Sequence, residues 1–145
     1  MTALEKLKSF TGNEFTESPS PFMRWLNPKI ISAEFGVLEF EYLIRSEWIN
    51  PAGNLHGGVT AAIMDDVIGA TIFSLNEPNF YTTINNVIDY FSSAKSGERI
   101  IAITKIIKKG KQFINAQCEI WNSDKSRIIA SGTSNLFKTE TKKTV

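Results

Sequence analysis

The chain has 145 residues, enough for one domain with a single sizeable core and too few for two ordinary ones. Its 42% hydrophobic and 21% charged residues sit near globular averages, which argues against disorder and against a membrane protein. A net charge of +1 gives no general attraction to nucleic acid.

From the N-terminus, Leu4–Phe10 reads as a short amphipathic helix, with Leu4, Leu7 and Phe10 at three-residue spacing. It lacks the continuous apolar core and cleavage site of a secretion signal. Thr11–Pro21 is rich in Thr, Ser, Pro and Gly and reads as a loop. Phe22–Leu26 is aromatic and suited to packing over the core or a partner. Residues 1–28 are therefore expected to be a helix and loop preceding the domain, which spans 29–138. Lys29–Phe35 and Val37–Ile44 alternate about Gly36 as an antiparallel hairpin, with Leu38, Phe40, Tyr42 and Ile44 on one face.

A helix over about Val59–Leu75 follows the Asn50–Gly58 loop and stops before Pro78. It carries apolar residues on both sides and should be wrapped by protein. The apolar stretch Gly58–Leu75 is interrupted by Asp65 and Asp66 and is too short to span a bilayer. Strands are expected at Phe80–Phe91, Arg99–Lys108, Lys111–Asn122 and Arg127–Lys138. In the third of these Ile114, Ala116, Cys118 and Ile120 share the apolar face. One long helix and long antiparallel strands give an α+β plan with the sheet curled about the helix. The tail, 139–145, is expected to be disordered. Cys118 is the sole cysteine, which rules out an intrachain disulfide and fits a reducing cytoplasm. Lys105, Lys108, Lys109 and Lys111 form a basic cluster that reads first as the solvated end of a hairpin.

The chemistry concentrates in Asn50-Pro-Ala-Gly-Asn-Leu-His56-Gly57-Gly58, which runs into a helix carrying Asp65 and Asp66. A helix opening at two glycines leaves its first N–H groups unpaired and favours developing negative charge. A carboxylate on an otherwise apolar helix is costly unless it is paired or functional. Such a group can serve as a general base on water or attack a carbonyl directly, and helical periodicity does not choose between Asp65 and Asp66. One histidine and no thiolate cluster cannot make a typical zinc site, so no metal is expected. Nucleotide glycine fingerprints and a serine elbow are also missing, and no cofactor is expected.

The pattern Asn50-x5-His56-Gly57-Gly58-x6-Asp65, with Tyr81-Thr-Thr83 through Tyr90 to Gly97, resembles the hot-dog-fold acyl-CoA thioesterases of the phenylacetate-pathway and 4-hydroxybenzoyl-CoA type. The resemblance covers roughly Leu38 to Phe137. It implies that the Gly57 N–H holds the thioester oxygen and that His56 orients the loop. It further implies that Asp65 is the base or nucleophile, that Asn50 positions thioester or water, and that Thr83 holds the water. Gly58 and Asp66 are placed beside the substrate, with Lys95, Lys108 and Lys111 as candidate CoA contacts. A homodimer with sites shared between subunits is implied, doubled to a tetramer, with acyl-CoA as substrate. The sequence departs from the family at Asn85, Asn86 and Asp89, which differ in type, and at Ser93, which replaces a proline. Two alternatives remain open on the same fold: a non-catalytic acyl-CoA-binding module and a dehydratase or hydratase.

Overall fold

A computed structural model describes residues 1–144. The elements run α1 (Ala3–Ser9), α2 (Pro21–Leu26), β1 (Lys29–Glu34), β2 (Val37–Leu43), α3 (Gly57–Phe73), β3 (Asn79–Tyr90), β4 (Arg99–Lys109), β5 (Phe113–Asn122) and β6 (Ile128–Lys142). The strands form one antiparallel sheet in the order β1-β2-β4-β5-β6-β3. Helix α3 lies on its inner face, and this is the α+β plan expected from the alternation.

Local chemistry explains the element ends. Thr2 and Glu5 form a reciprocal capping box at α1. Ser20 caps α2, Pro21 supplies its preset first residue, and Asn27 ends it with a left-handed φ of 55°. This helix was not expected, because six residues are too few to display a helical period. The β1–β2 turn needs Gly36 at φ 72°. In β2 the side chains of Leu38, Phe40 and Tyr42 are fully buried, as are Ile114, Ala116, Cys118 and Ile120 of β5. Helix α3 packs tightly across the sheet at Gly132, where a Cβ would stand 2.8 Å from the Met64 sulfur.

Three expectations need correction. The segment before residue 29 contributes Leu7, Phe15, Met23 and Leu26 to the one hydrophobic core, so it is an integral layer over α3. The tail was expected to be disordered, but β6 continues to Lys142 opposite Asn79, and the Lys143 N–H donates to Pro78 O. The early start of β3 supplies that partner, a long-range pairing invisible in the polar sequence Thr139–Lys142. The last tail residue, 145, lies outside the described residues. Finally, α3 is wrapped on most sides but not all: Gly58, Asp65 and Gly69 form an exposed stripe along it. Beside that stripe runs β3, an edge strand of 12 residues carrying exposed Phe80, Ile84, Val87 and Tyr90, with exposed Phe91 just past its end.

Candidate active site

The loop before α3 is held from several sides. Asn50 Oδ1 accepts from the N–H groups of Ala52 at 3.0 Å and Asn54 at 3.1 Å, an Asx-type turn that shapes the loop from within. Leu55 N–H donates to Ala94 O and His56 N–H to Trp48 O, each at 2.8 Å. His56 is the N-cap of α3, and its Nδ1 accepts from the Gly58 N–H at 2.8 Å. That bond occupies the Gly58 N–H, so Gly58 cannot also offer it to a substrate. The Gly57 N–H opens the helix, where no intrahelical acceptor exists for it. Tyr90 donates its hydroxyl to Gly57 O at 3.0 Å and sets its ring against the same glycine, a contact the sequence reading did not assign.

The second group of residues centres on Asp65, which is exposed on the open stripe of α3. Its Oδ1 accepts from the Thr83 hydroxyl at 2.9 Å and from Asn86 Nδ2 at 3.0 Å. Residues three apart in a regular strand face opposite ways. A register shift between Thr83 and Asn85 inserts Ile84 as an extra residue, so Thr83 pairs with Leu136 and Asn86 with Ser134, both on the inner face. The bulge therefore turns two donors toward one carboxylate oxygen. Asn86 is held in turn by the Ser134 hydroxyl, which bonds its Oδ1. The departure of Asn86 from the family pattern is thus part of the site, and only the bulge reveals it.

Asp66 lines the same cavity as Asp65 but sits deeper, beside Ser20 at the start of α2. Burial first, then the charge of Asp65, push its carboxyl up to about 7, while the Ser20 hydroxyl opposes the shift. Its Oδ2 is buried and has no hydrogen-bond partner among the described residues. The same holds for the Tyr42 hydroxyl, which burial, then Asp66, then Cys118 push well above its ordinary range. Asp66 thus belongs to a buried polar contact beneath α2.

The lysine candidates separate. Lys95 Nζ reaches Asn54 Oδ1 and so adjoins the Asn50–Gly58 loop. Lys108 and Lys111 instead line a depression with Phe113, Asn115 and Asn135. Asn115 and Asn135 alternate with buried neighbours and so face outward, and Lys108, paired opposite Asn115, shares that outer face, on the other side of the sheet from α3. The described residues contain no cluster of three or more His, Cys, Asp or Glu suited to a metal ion. None of their helices is long and apolar enough to cross a membrane.

Along α3, Asp65 lies about 12 Å from Gly57 at 1.5 Å per residue. Within one chain the helix-start N–H and the carboxylate cannot both grip one thioester.

A family model described as the thioesterase superfamily matches residues 52–129, which include His56, Gly57, Asp65, Thr83 and Asn86. Human acyl-coenzyme A thioesterase 13 is 28% identical over 103 residues, covering 71% of this chain and 74% of that protein. The crystal structure of mouse thioesterase superfamily member2 superposes with a TM-score of 0.79 at 26% identity, covering 94% of this chain and 98% of that one. The PaaI protein of E. coli, from the phenylacetic acid degradation operon, superposes with a TM-score of 0.82 over 99% of this chain and all of its own. At 17% identity that second overlap speaks to architecture alone, and it identifies the sheet and central helix as the hot-dog fold.

Proposed function

The chain belongs to the thioesterase superfamily, and from that premise we propose that it hydrolyses acyl-CoA thioesters to free acid and CoA. The observation that carries the reading is the Asp65 carboxylate, with Oδ1 engaged by Thr83 and Asn86 and Oδ2 left to react. The two donated hydrogen bonds fix the orientation of the carboxylate. Oδ2 takes a proton from an attacking water or attacks the thioester carbon itself; the same oxygen serves either route. The developing oxyanion is held by the Gly57 N–H at the positive end of α3, and CoA thiolate leaves. His56 acts through its bond to the Gly58 N–H, which keeps the helix start in shape. Asn50 shapes the same loop from within. Lys95 is the candidate contact for CoA phosphate.

The 12 Å between the two groups is bridged in this reading by a homodimer, with Asp65 of one subunit facing the Gly57 N–H of the other. Support comes from the exposed stripe of α3 and from β3, an edge strand rich in exposed apolar residues. Doubling to a tetramer and residence in the cytoplasm complete the proposal. The test is thiol release from a panel of acyl-CoAs, together with the mass of the particle in solution. Turnover by a dimer or tetramer is expected. Tight binding of acyl-CoA that stays intact would instead identify a binding module, and hydration of enoyl-CoA a hydratase. In the nucleophilic route CoA thiolate leaves an acyl–Asp65 anhydride that water then opens, and after single turnover in heavy-oxygen water label found in Asp65 identifies that route.

A further inference from the structure

We infer that the cavity beneath the N-terminal segment is the acyl site, and that it selects an uncharged acyl group of medium length by ending at Lys143. This rests on the thioesterase reading and adds the substrate class. The cavity holds about 310 Å³, at the small end for ligand sites. Leu7, Phe15 and Met23 of the N-terminal segment form one wall, and Ile72, Phe73 and Phe80 form another. Asp65 and Thr83 line the same space, so it opens at the reacting carboxylate, and Asp66 and Ser20 put a polar group into its wall beneath α2. A thioester carbonyl placed at Asp65 therefore sends its acyl group along α3 beneath the N-terminal layer.

The length of that path is set by the helix. Eight residues separate Asp65 from Phe73, about 12 Å at 1.5 Å per residue. At the far end the Lys143 ammonium lies 4.9 Å from the Phe73 ring centre and 5.9 Å from that of Phe80. Among the described residues no carboxylate comes within ion-pair distance of it. Burial pulls its pKa below the ordinary lysine value, with Glu77 opposing. A methyl terminus that ran past this point would have to displace the ammonium from both rings. A short acyl group would leave the apolar walls unfilled, and each buried methylene is worth about fourfold in affinity.

The experiment measures calorimetric binding of acetyl-, octanoyl- and palmitoyl-CoA to the full chain carrying Asp65→Asn, in parallel with thiol release by the unaltered chain. Octanoyl-CoA is expected to bind at least roughly tenfold tighter than either of the others. Adding Lys143→Met should recover palmitoyl-CoA binding, and adding Met23→Trp should weaken octanoyl-CoA while leaving acetyl-CoA unchanged. Equal affinity across the series, or a length preference untouched by Lys143→Met, would overturn the assignment. Lys143→Met alters a half-buried residue near the chain end, so it remains informative even where Met23→Trp misfolds. Thiol release without any length preference removes the acyl-site inference alone. The expected binding order without thiol release removes the hydrolase reading and leaves the site standing.

Discussion

Asp65 lies on the open stripe of α3 with one oxygen taking two hydrogen bonds, whereas Asp66, the next residue, turns beneath α2 with a buried oxygen that no described residue pairs. A turn of about 100° separates their fates. The buried one has the strongly displaced pKa, yet the exposed one has the geometry of a reacting group. A perturbed carboxyl is therefore a poor guide here, because burial without donors raises a pKa and prepares no reaction. Donors aimed at one oxygen, with the other left free, are the better sign.

The largest expected effect tests Asp65 together with the helix start. Asp65→Asn should lower kcat/KM at least roughly 10²-fold, the low end for a positioned acid–base group. Gly57→Pro removes one N–H at a helix position that tolerates proline, and should cost a comparable 10²- to 10³-fold. His56 at ψ 132° already has the backbone that must precede a proline. Co-refolding the two variants should restore turnover in mixed dimers, because one of their two shared sites is then intact. Activity that never rises above that of either variant alone would mean that each chain works by itself.

Asp66 supplies the next contrast, read in stability. Its folded-state value of about 7 lies above the ordinary 3.8, so between those pH values the folded chain holds a proton that the unfolded chain has lost. Stability from this group is accordingly greatest in acid, falls as pH rises toward 7, and levels off above it. The loss should be roughly 2 kcal/mol once partial exposure is discounted. Urea unfolding at about pH 5 and pH 8 should show that slope in the native chain and lose it in Asp66→Asn, with thiol release kept within a few-fold. A collapse of activity in Asp66→Asn would reverse the division of roles.

The smallest effect concerns the bulge. Asn86→Ala removes one of the two donors to Asp65 Oδ1 and should cost about 1 kcal/mol, a several-fold loss in kcat with KM little changed. Thr83→Val should behave alike. An unchanged kcat in both would show that the orientation of Asp65 does not depend on them.

Much of the architecture was legible because its signals are local. Alternation in Val37–Ile44 and Ile114–Ile120, the turn at Gly36, and the stop before Pro78 each follow from a few adjacent residues. The helix over Pro21–Leu26 and the final turns of β6 were not, since the first is too short for a period and the second depends on β3. In the site, His56 and Gly57 stood out by spacing along with the Asp65–Asp66 pair, and the family resemblance alone picked out Asp65. Asn86 and Tyr90 did not, because their roles depend on where β3 lies against α3.

The sequence by itself determined the α+β plan, the glycine opening of α3 and the pair of carboxylates at its middle, since helical and strand periods are written in residue spacing. Tertiary structure decided which carboxylate is free and hydrogen-bonded, which inner-face residues meet it, and what covers the helix. The physical reason lies in the sheet: a single inserted residue, Ile84, changes which side chains of β3 face α3, and no spacing along the chain records where a strand will bulge.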